Sequence, residues 1–91
     1  MVKVQYQGKE LRVKWAHYTE TNDVVEKRGT ECVLFDETGD PCGVGASYLH
    51  PKDKVFNKKL GRQISLGRAL VDFGIQNQSE RKRLIAEAGC S

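Results

Sequence analysis

The chain has 91 residues, 15 Lys and Arg against 12 Asp and Glu, 38% hydrophobic and 8% aromatic residues, which describes one globular domain over 1–91 and leaves no room for two. No apolar stretch approaches the ~20 residues that a bilayer span needs, and Met1 to Tyr6 alternates where a signal peptide would be continuously apolar, so no membrane association is expected. Cys32, Cys42 and Cys90 form no Cys-x-x-Cys pair, which fits neither a disulfide framework nor a zinc ribbon and points to a reducing cytoplasm.

Val2, Val4 and Tyr6 alternate with Lys3 and Gln5, and beyond Gly8 the run Leu11, Val13, Trp15, His17 alternates with Arg12, Lys14, Ala16 and Tyr18. Period-two alternation on both sides of a glycine turn predicts a β-hairpin. Residues 19–31 are polar and acidic around Val24 and Val25, a loop with room for a short strand. Thr30 to Phe35 and Cys42 to Leu49 then flank Asp36-Glu-Thr-Gly-Asp-Pro41, a second hairpin. Four antiparallel strands over residues 2–49 result, with space for a fifth.

From Pro51 the period changes to 3.6. Asp53 suits an N-cap, and Phe56, Leu60, Ile64, Leu66, Leu70, Val71 and Phe73 form one broad face that is expected to lie on the sheet, with Trp15 beneath it. Gly74 stands where a left-handed C-terminal cap is wanted, with Ile75 placed to touch Leu70, so the helix is predicted over 53–73. A shorter helix follows from Ser79 as N-cap to Gly89. Arg81-Lys82-Arg83 in its first turns opposes the helix dipole, so this end is expected to fray or to be neutralised by a partner. The fold class read from these elements is α+β: an antiparallel sheet followed by a long and a short helix.

The net charge of +3 is divided unevenly, with −2 over residues 1–49 and +5 over 50–91. Lys52, Lys54, Lys58, Lys59 and Arg62 oppose only Asp53, a concentration of charge that attracts phosphate or simply solvates a helix face. Gly61 and Gly67 each cost the helix about 1 kcal/mol relative to alanine, which calls for a close approach at the backbone. Gly67 lies in the apolar arc beside Leu60 and Val71, where packing on the sheet accounts for it. Gly61 shares the other face with Asn57, Ser65 and Arg68, a small polar stripe suited to a polar ligand or to a second subunit, with Gly61 and Lys58 as interface candidates. Arg62 and Arg68 carry forked donors for phosphate oxygens, or else pair with acidic residues of the sheet half.

Other chemistry finds little support. Gly43-Val-Gly-Ala-Ser47 lacks both the dinucleotide-binding and the Walker pattern. His17 and His50 stand alone in sequence, no nucleophile has an evident base, and a zinc site from these histidines and two cysteines lacks ligand spacing. A non-enzymatic binder without metal or cofactor is expected.

The segment from Gly45 to Leu70, with Pro51-Lys-Asp53, Phe56-Asn-Lys-Lys-Leu-Gly-Arg62 and Leu66-Gly-Arg-Ala-Leu70, resembles small accessory proteins of tailed bacteriophages. The order of strands followed by a long basic helix is similar to the first family of anti-Thoeris sponges, oligomeric phage proteins that sequester immune signals of the cyclic ADP-ribose type. The resemblance implies a homo-oligomeric, nucleotide-binding counter-defence protein of the host cytoplasm, with Asn57, Arg62 and Arg68 as ligand contacts.

Two functions follow as expectations. In the first, Asn57, Arg62, Ser65 and Arg68 hold a phosphorylated nucleotide, of cyclic ADP-ribose or cyclic dinucleotide type, at a subunit boundary, because so short a chain buries only about 60–65% of its unfolded surface and cannot enclose a large ligand alone. In the second, the basic half binds nucleic acid, or the protein inhibits a host defence protein as an anti-CRISPR does. The basic half holds only Phe56 and Phe73 as rings, both expected to be buried, which disfavours stacking on single strands.

Overall fold

In a computed structural model of the protein, residues 2–21, 26–48 and 58–89 are described. Strands β1 (Val2–Tyr6), β2 (Lys9–Thr21), β3 (Glu26–Phe35) and β4 (Pro41–Tyr48) precede helices α1 (Lys58–Phe73) and α2 (Gln78–Glu87). The strands form one antiparallel sheet in the order β1-β2-β3-β4, so the molecule has the α+β architecture expected from its periodicities. Residues 19–21 and 26–31 do not make a separate fifth strand. They extend β2 and β3, with Thr19 opposite Arg28 and Thr21 opposite Glu26.

The turns follow from local chemistry. Gln7 and Gly8, with φ of 49° and 76°, make a two-residue turn whose twist matches that of the strands. Between β3 and β4, the Asp36 carboxylate accepts the N–H groups of Thr38 and Asp40 and the Thr38 hydroxyl. The Thr38 hydroxyl, followed by these backbone donors, holds the Asp36 carboxyl below its ordinary pKa. At the end of α1, the N–H groups of Gly74 and Ile75 reach the carbonyls of Val71 and Leu70, the predicted left-handed cap with φ of 118° at Gly74.

One face of the sheet supplies Val4, Leu11, Val13, Cys32 and Leu34 to the core, and the helices supply Leu66, Ala69, Leu70 and Leu84. The orientation of α1 differs from the expected one. Gly61, Ser65, Leu66, Ala69 and Leu70 face the sheet, whereas Leu60, Ile64 and Val71 are 50%, 38% and 43% exposed. The cause lies in β4. At Gly45 a Cβ would overlap the backbone oxygen of Ser65 and the backbone nitrogen of Ala69, and at Gly43 it would lie 2.7 Å from the Ala69 oxygen. Helix and strand therefore meet backbone to backbone, and only the small residues of α1 fit in the seam. Phe56 and residues 53–57 of the predicted helix lie outside the described residues.

Side chains of both helices also protect the sheet edges. Asp72 Oδ2 accepts the Val44 N–H at 3.0 Å and Arg68 Nη1 donates to the Ala46 carbonyl at 2.6 Å, while on β1 the Gln5 N–H goes to Glu87 Oε1 at 2.9 Å. Edge groups so occupied cannot template another strand. Helix α2 begins two residues earlier than expected, because Asn77 rather than Ser79 caps it, its side chain accepting the Glu80 N–H. Its basic first turns are neutralised within the chain: Arg81 donates to the carbonyls of Ile75 and Gln76, and Arg83 to Glu80 and Glu87.

Candidate functional site

The four residues expected to hold a ligand do not share one surface. Ser65 is fully buried between α1 and β4, its hydroxyl donating to the Arg62 carbonyl at 3.2 Å, so it cannot reach a bound molecule. Gly61 is buried on the same side and is not available as a subunit interface. Arg68 lies on the edge of β4 and serves Ala46. Asn57 falls outside the described residues. What remains of the expected set is Arg62 and Lys58, at the end of α1 nearest β2.

There they meet residues that strand pairing delivers. The half-buried Trp15 donates its indole N–H to the Arg62 carbonyl at 3.3 Å, which pins this end of α1 over β2. Two residues on along the same face of β2 stands His17, its Nδ1 2.8 Å from the hydroxyl of buried Thr30. Thr19 follows with Arg28 directly opposite on β3. His17, Tyr18, Thr19, Arg28 and Lys58 line a cleft of about 270 Å³. Loss of water around the His17 ring, then the charges of Lys58 and Arg62, lower its pKa below the usual 6.5. Among the described residues neither Lys58 nor Arg62 forms a salt bridge. The cleft is thus a positively polarised recess with hydroxyl and imidazole donors, suited to an anion.

His17 and Arg28 were not expected here. The alternation of β2 does put His17 on the helix-facing side, but nothing local tells that α1 ends above it. Arg28 sits in an acidic stretch whose charges hide it in any windowed count.

The titration of His17 has a testable sign. Its folded-state pKa lies below the unfolded value, so the unfolded chain takes up the proton first as pH falls. Stability should be level above about 6.5 and decline as the pH drops from there through the folded pKa. NMR titration of the imidazole should place its midpoint below 6.5, and His17→Asn should flatten the decline. A midpoint at or above 6.5 would contradict the positive field.

A second cleft, of about 300 Å³, lies at the other end of the sheet among Lys9, Glu10, Leu11, Asp36, Glu37, Thr38, Cys42 and Phe73. Burial, with Asp36 nearby, pushes the Cys42 thiol up, so it is not a poised nucleophile. Cys32 is buried in the core. Among the described residues no three His, Cys, Asp or Glu side chains gather as metal ligands, and no helix is long and apolar enough to cross a membrane.

Comparison of the chain with protein-family models, with curated proteins and with solved structures gives no match.

Proposed function

We propose that the protein is a non-enzymatic binder that sequesters a phosphorylated nucleotide through His17, Arg28, Lys58 and Arg62. The observation that carries this reading is the convergence of Lys58 from α1 and Arg28 from β3 on one cleft with His17, whose pKa is lowered by loss of water and then by the charges of Lys58 and Arg62. An anion there removes the electrostatic cost of grouping like charges, and it favours His17 protonation, which adds a further donor. The volume of about 270 Å³ lies just below the ~300–1,000 Å³ of drug-sized pockets. It accommodates a phosphate and part of its sugar, with the rest of the ligand lying over the rim. Phage counter-defence, with a cyclic ADP-ribose or cyclic dinucleotide signal as the ligand and the host cytoplasm as the setting, belongs to the same proposal through the resemblance of residues 45–70.

Calorimetry with cyclic ADP-ribose and with a cyclic dinucleotide tests it. Binding of one of them should weaken about tenfold in Arg62→Ala and in Lys58→Ala, the value of one charge-assisted contact, with little change in melting temperature. It should depend only mildly on salt, and the bound state should raise the His17 pKa.

A second reading, single-stranded nucleic acid on the open face of the sheet, has one observation in its favour. Tyr18 and Tyr48 flank Gly29 on that face with ring centroids 6.1 Å apart, and Tyr48 is 63% exposed, so stacking surface exists in the sheet half. Against it, Glu10 pairs with both Lys3 and Arg12 on the same face. Absence of nucleotide binding together with a steeply salt-dependent association with DNA or RNA would replace the first reading by this one.

A further inference from the structure

The alternation of hydrogen bonds across the sheet singles out one stretch of edge that is not closed as the others are. Gln5 sends its N–H away from β2, to Glu87, so the bonded partners in the β1–β2 pair are Val4 with Leu11 and Val2 with Val13. On β2 the main chain of odd-numbered residues therefore points toward β1 and that of even-numbered residues toward β3. Carried across β3, the same alternation turns Val44 and Ala46 outward on β4, where Asp72 and Arg68 bond them. The described part of β1 starts at Val2, opposite Val13, while β2 continues to Thr21. The N–H and C=O groups of Trp15 and Thr19 thus point out of the sheet, and among the described residues they have no main-chain partner on that side.

Support thins along the same stretch. β4 ends at Tyr48, opposite Gly29, so residues 19–21 and 26–28 pair as a ribbon of β2 and β3. Two strands alone are marginally stable in water, and a third strengthens them. The charge beside the edge is mainly of one sign. Lys58 and Arg62 stand near His17 on the helix-facing side, Lys14 is exposed on the other side, and none of these three cations forms a salt bridge among the described residues. Glu31, opposite Ala16, lies one strand further in.

We infer that β2 from Lys14 to Thr21 is a docking edge for an acidic, extended peptide segment of another protein, which adds antiparallel as a new strand in line with β1. Main-chain bonds to Trp15 and Thr19 hold it. Its residues facing the helix side meet Lys58 and Arg62, which selects carboxylates there, and its alternate residues lie beside Ala16 and Tyr18, which suits β-branched side chains. This edge forms the β2 rim of the candidate cleft, so an added strand and a nucleotide exclude each other.

The probe is a capped heptapeptide alternating glutamate and valine, titrated by NMR without nucleotide. At saturation the Trp15 and Thr19 amides should exchange with solvent about tenfold more slowly. N-methylation of the glutamates, whose N–H groups face β2, should abolish binding, whereas N-methylation of the valines should leave it within about twofold. A lysine–valine peptide should bind at least tenfold more weakly, and Lys58→Glu should weaken the acidic peptide by about the same factor. Proline is tolerated where a strand N–H faces solvent, so Thr19→Pro should melt within roughly 4–8 °C of the parent while abolishing binding, and Ala16→Pro, whose N–H serves β3, should melt far lower. The proposal is overturned if the acidic peptide does not bind, if either N-methylated form binds equally well, or if Thr19→Pro melts as low as Ala16→Pro. A peptide-free mass of twice 10.2 kDa that returns to 10.2 kDa in Thr19→Pro would also overturn it, assigning the edge to a second copy.

Discussion

Gly45→Ala is expected to destroy the native fold, although it adds a single methyl group. The added carbon would overlap the Ser65 oxygen and the Ala69 nitrogen and stand 2.8 Å from the Arg68 carbonyl carbon, all of them main-chain atoms of α1. No rotamer change relieves such a contact, so α1 must lift from β4. Lifting it exposes Leu66 and Leu70 and withdraws Arg68 and Asp72 from the strand edge. Ordinary overpacking costs about 1–3 kcal/mol, and a displaced helix adds the loss of its buried side chains at about 1.5–3 kcal/mol each. A domain of 91 residues has about 5–14 kcal/mol in total. A thermal melt followed by circular dichroism should show no cooperative transition, or one lowered by tens of degrees. A Gly45→Ala protein melting within a few degrees of the parent would show that helix and strand are not in backbone contact.

Leu66→Ala should destabilise by about 2–5 kcal/mol, against less than about 1 kcal/mol for Leu60→Ala, in denaturant titrations of the two variants. Leu66 is completely buried in the cluster with Leu34, Leu70 and Leu84, so its removal leaves a cavity that the rigid sheet cannot fill. Leu60 is half in solvent, and its truncation forfeits little contact within the monomer. The comparison separates the two faces of one helix, because a reading by hydrophobicity alone puts both leucines inside. Equal losses would mean that the Leu60 face is covered in the folded monomer.

Much of the architecture was legible from periodicity. Alternation in β1 and β2, the glycine turn at Gly8, the Asp36–Asp40 turn and the glycine cap at Gly74 each depend on neighbours within a few residues, and each stands in the fold as its local chemistry dictates. The sheet order follows as well, since short hairpin connections leave antiparallel neighbours as the simple arrangement. The boundary of α2 moved because Asn77 and Ser79 are both competent caps, and only the path of the chain after Ile75 selects between them.

The rotation of α1 was beyond such reasoning. Hydrophobicity favours burying Leu60, Ile64 and Val71, yet β4 presents Gly43 and Gly45 toward the helix, and the close approach they permit is satisfied only by Gly61, Ser65 and Ala69. That preference belongs to a pair of elements and not to either one, so it has no signature in a window of sequence. The candidate site turned with the helix. Once Ser65 faces inward and Arg68 serves the strand edge, Lys58 and Arg62 are left near the far end of β2, where His17 and Arg28 arrive through cross-strand register. The sequence by itself thus determined the elements, their order and the uneven placement of charge. Which face of the long helix is inside, and therefore which charges share a cleft, was decided by steric fit between residues more than fifteen positions apart.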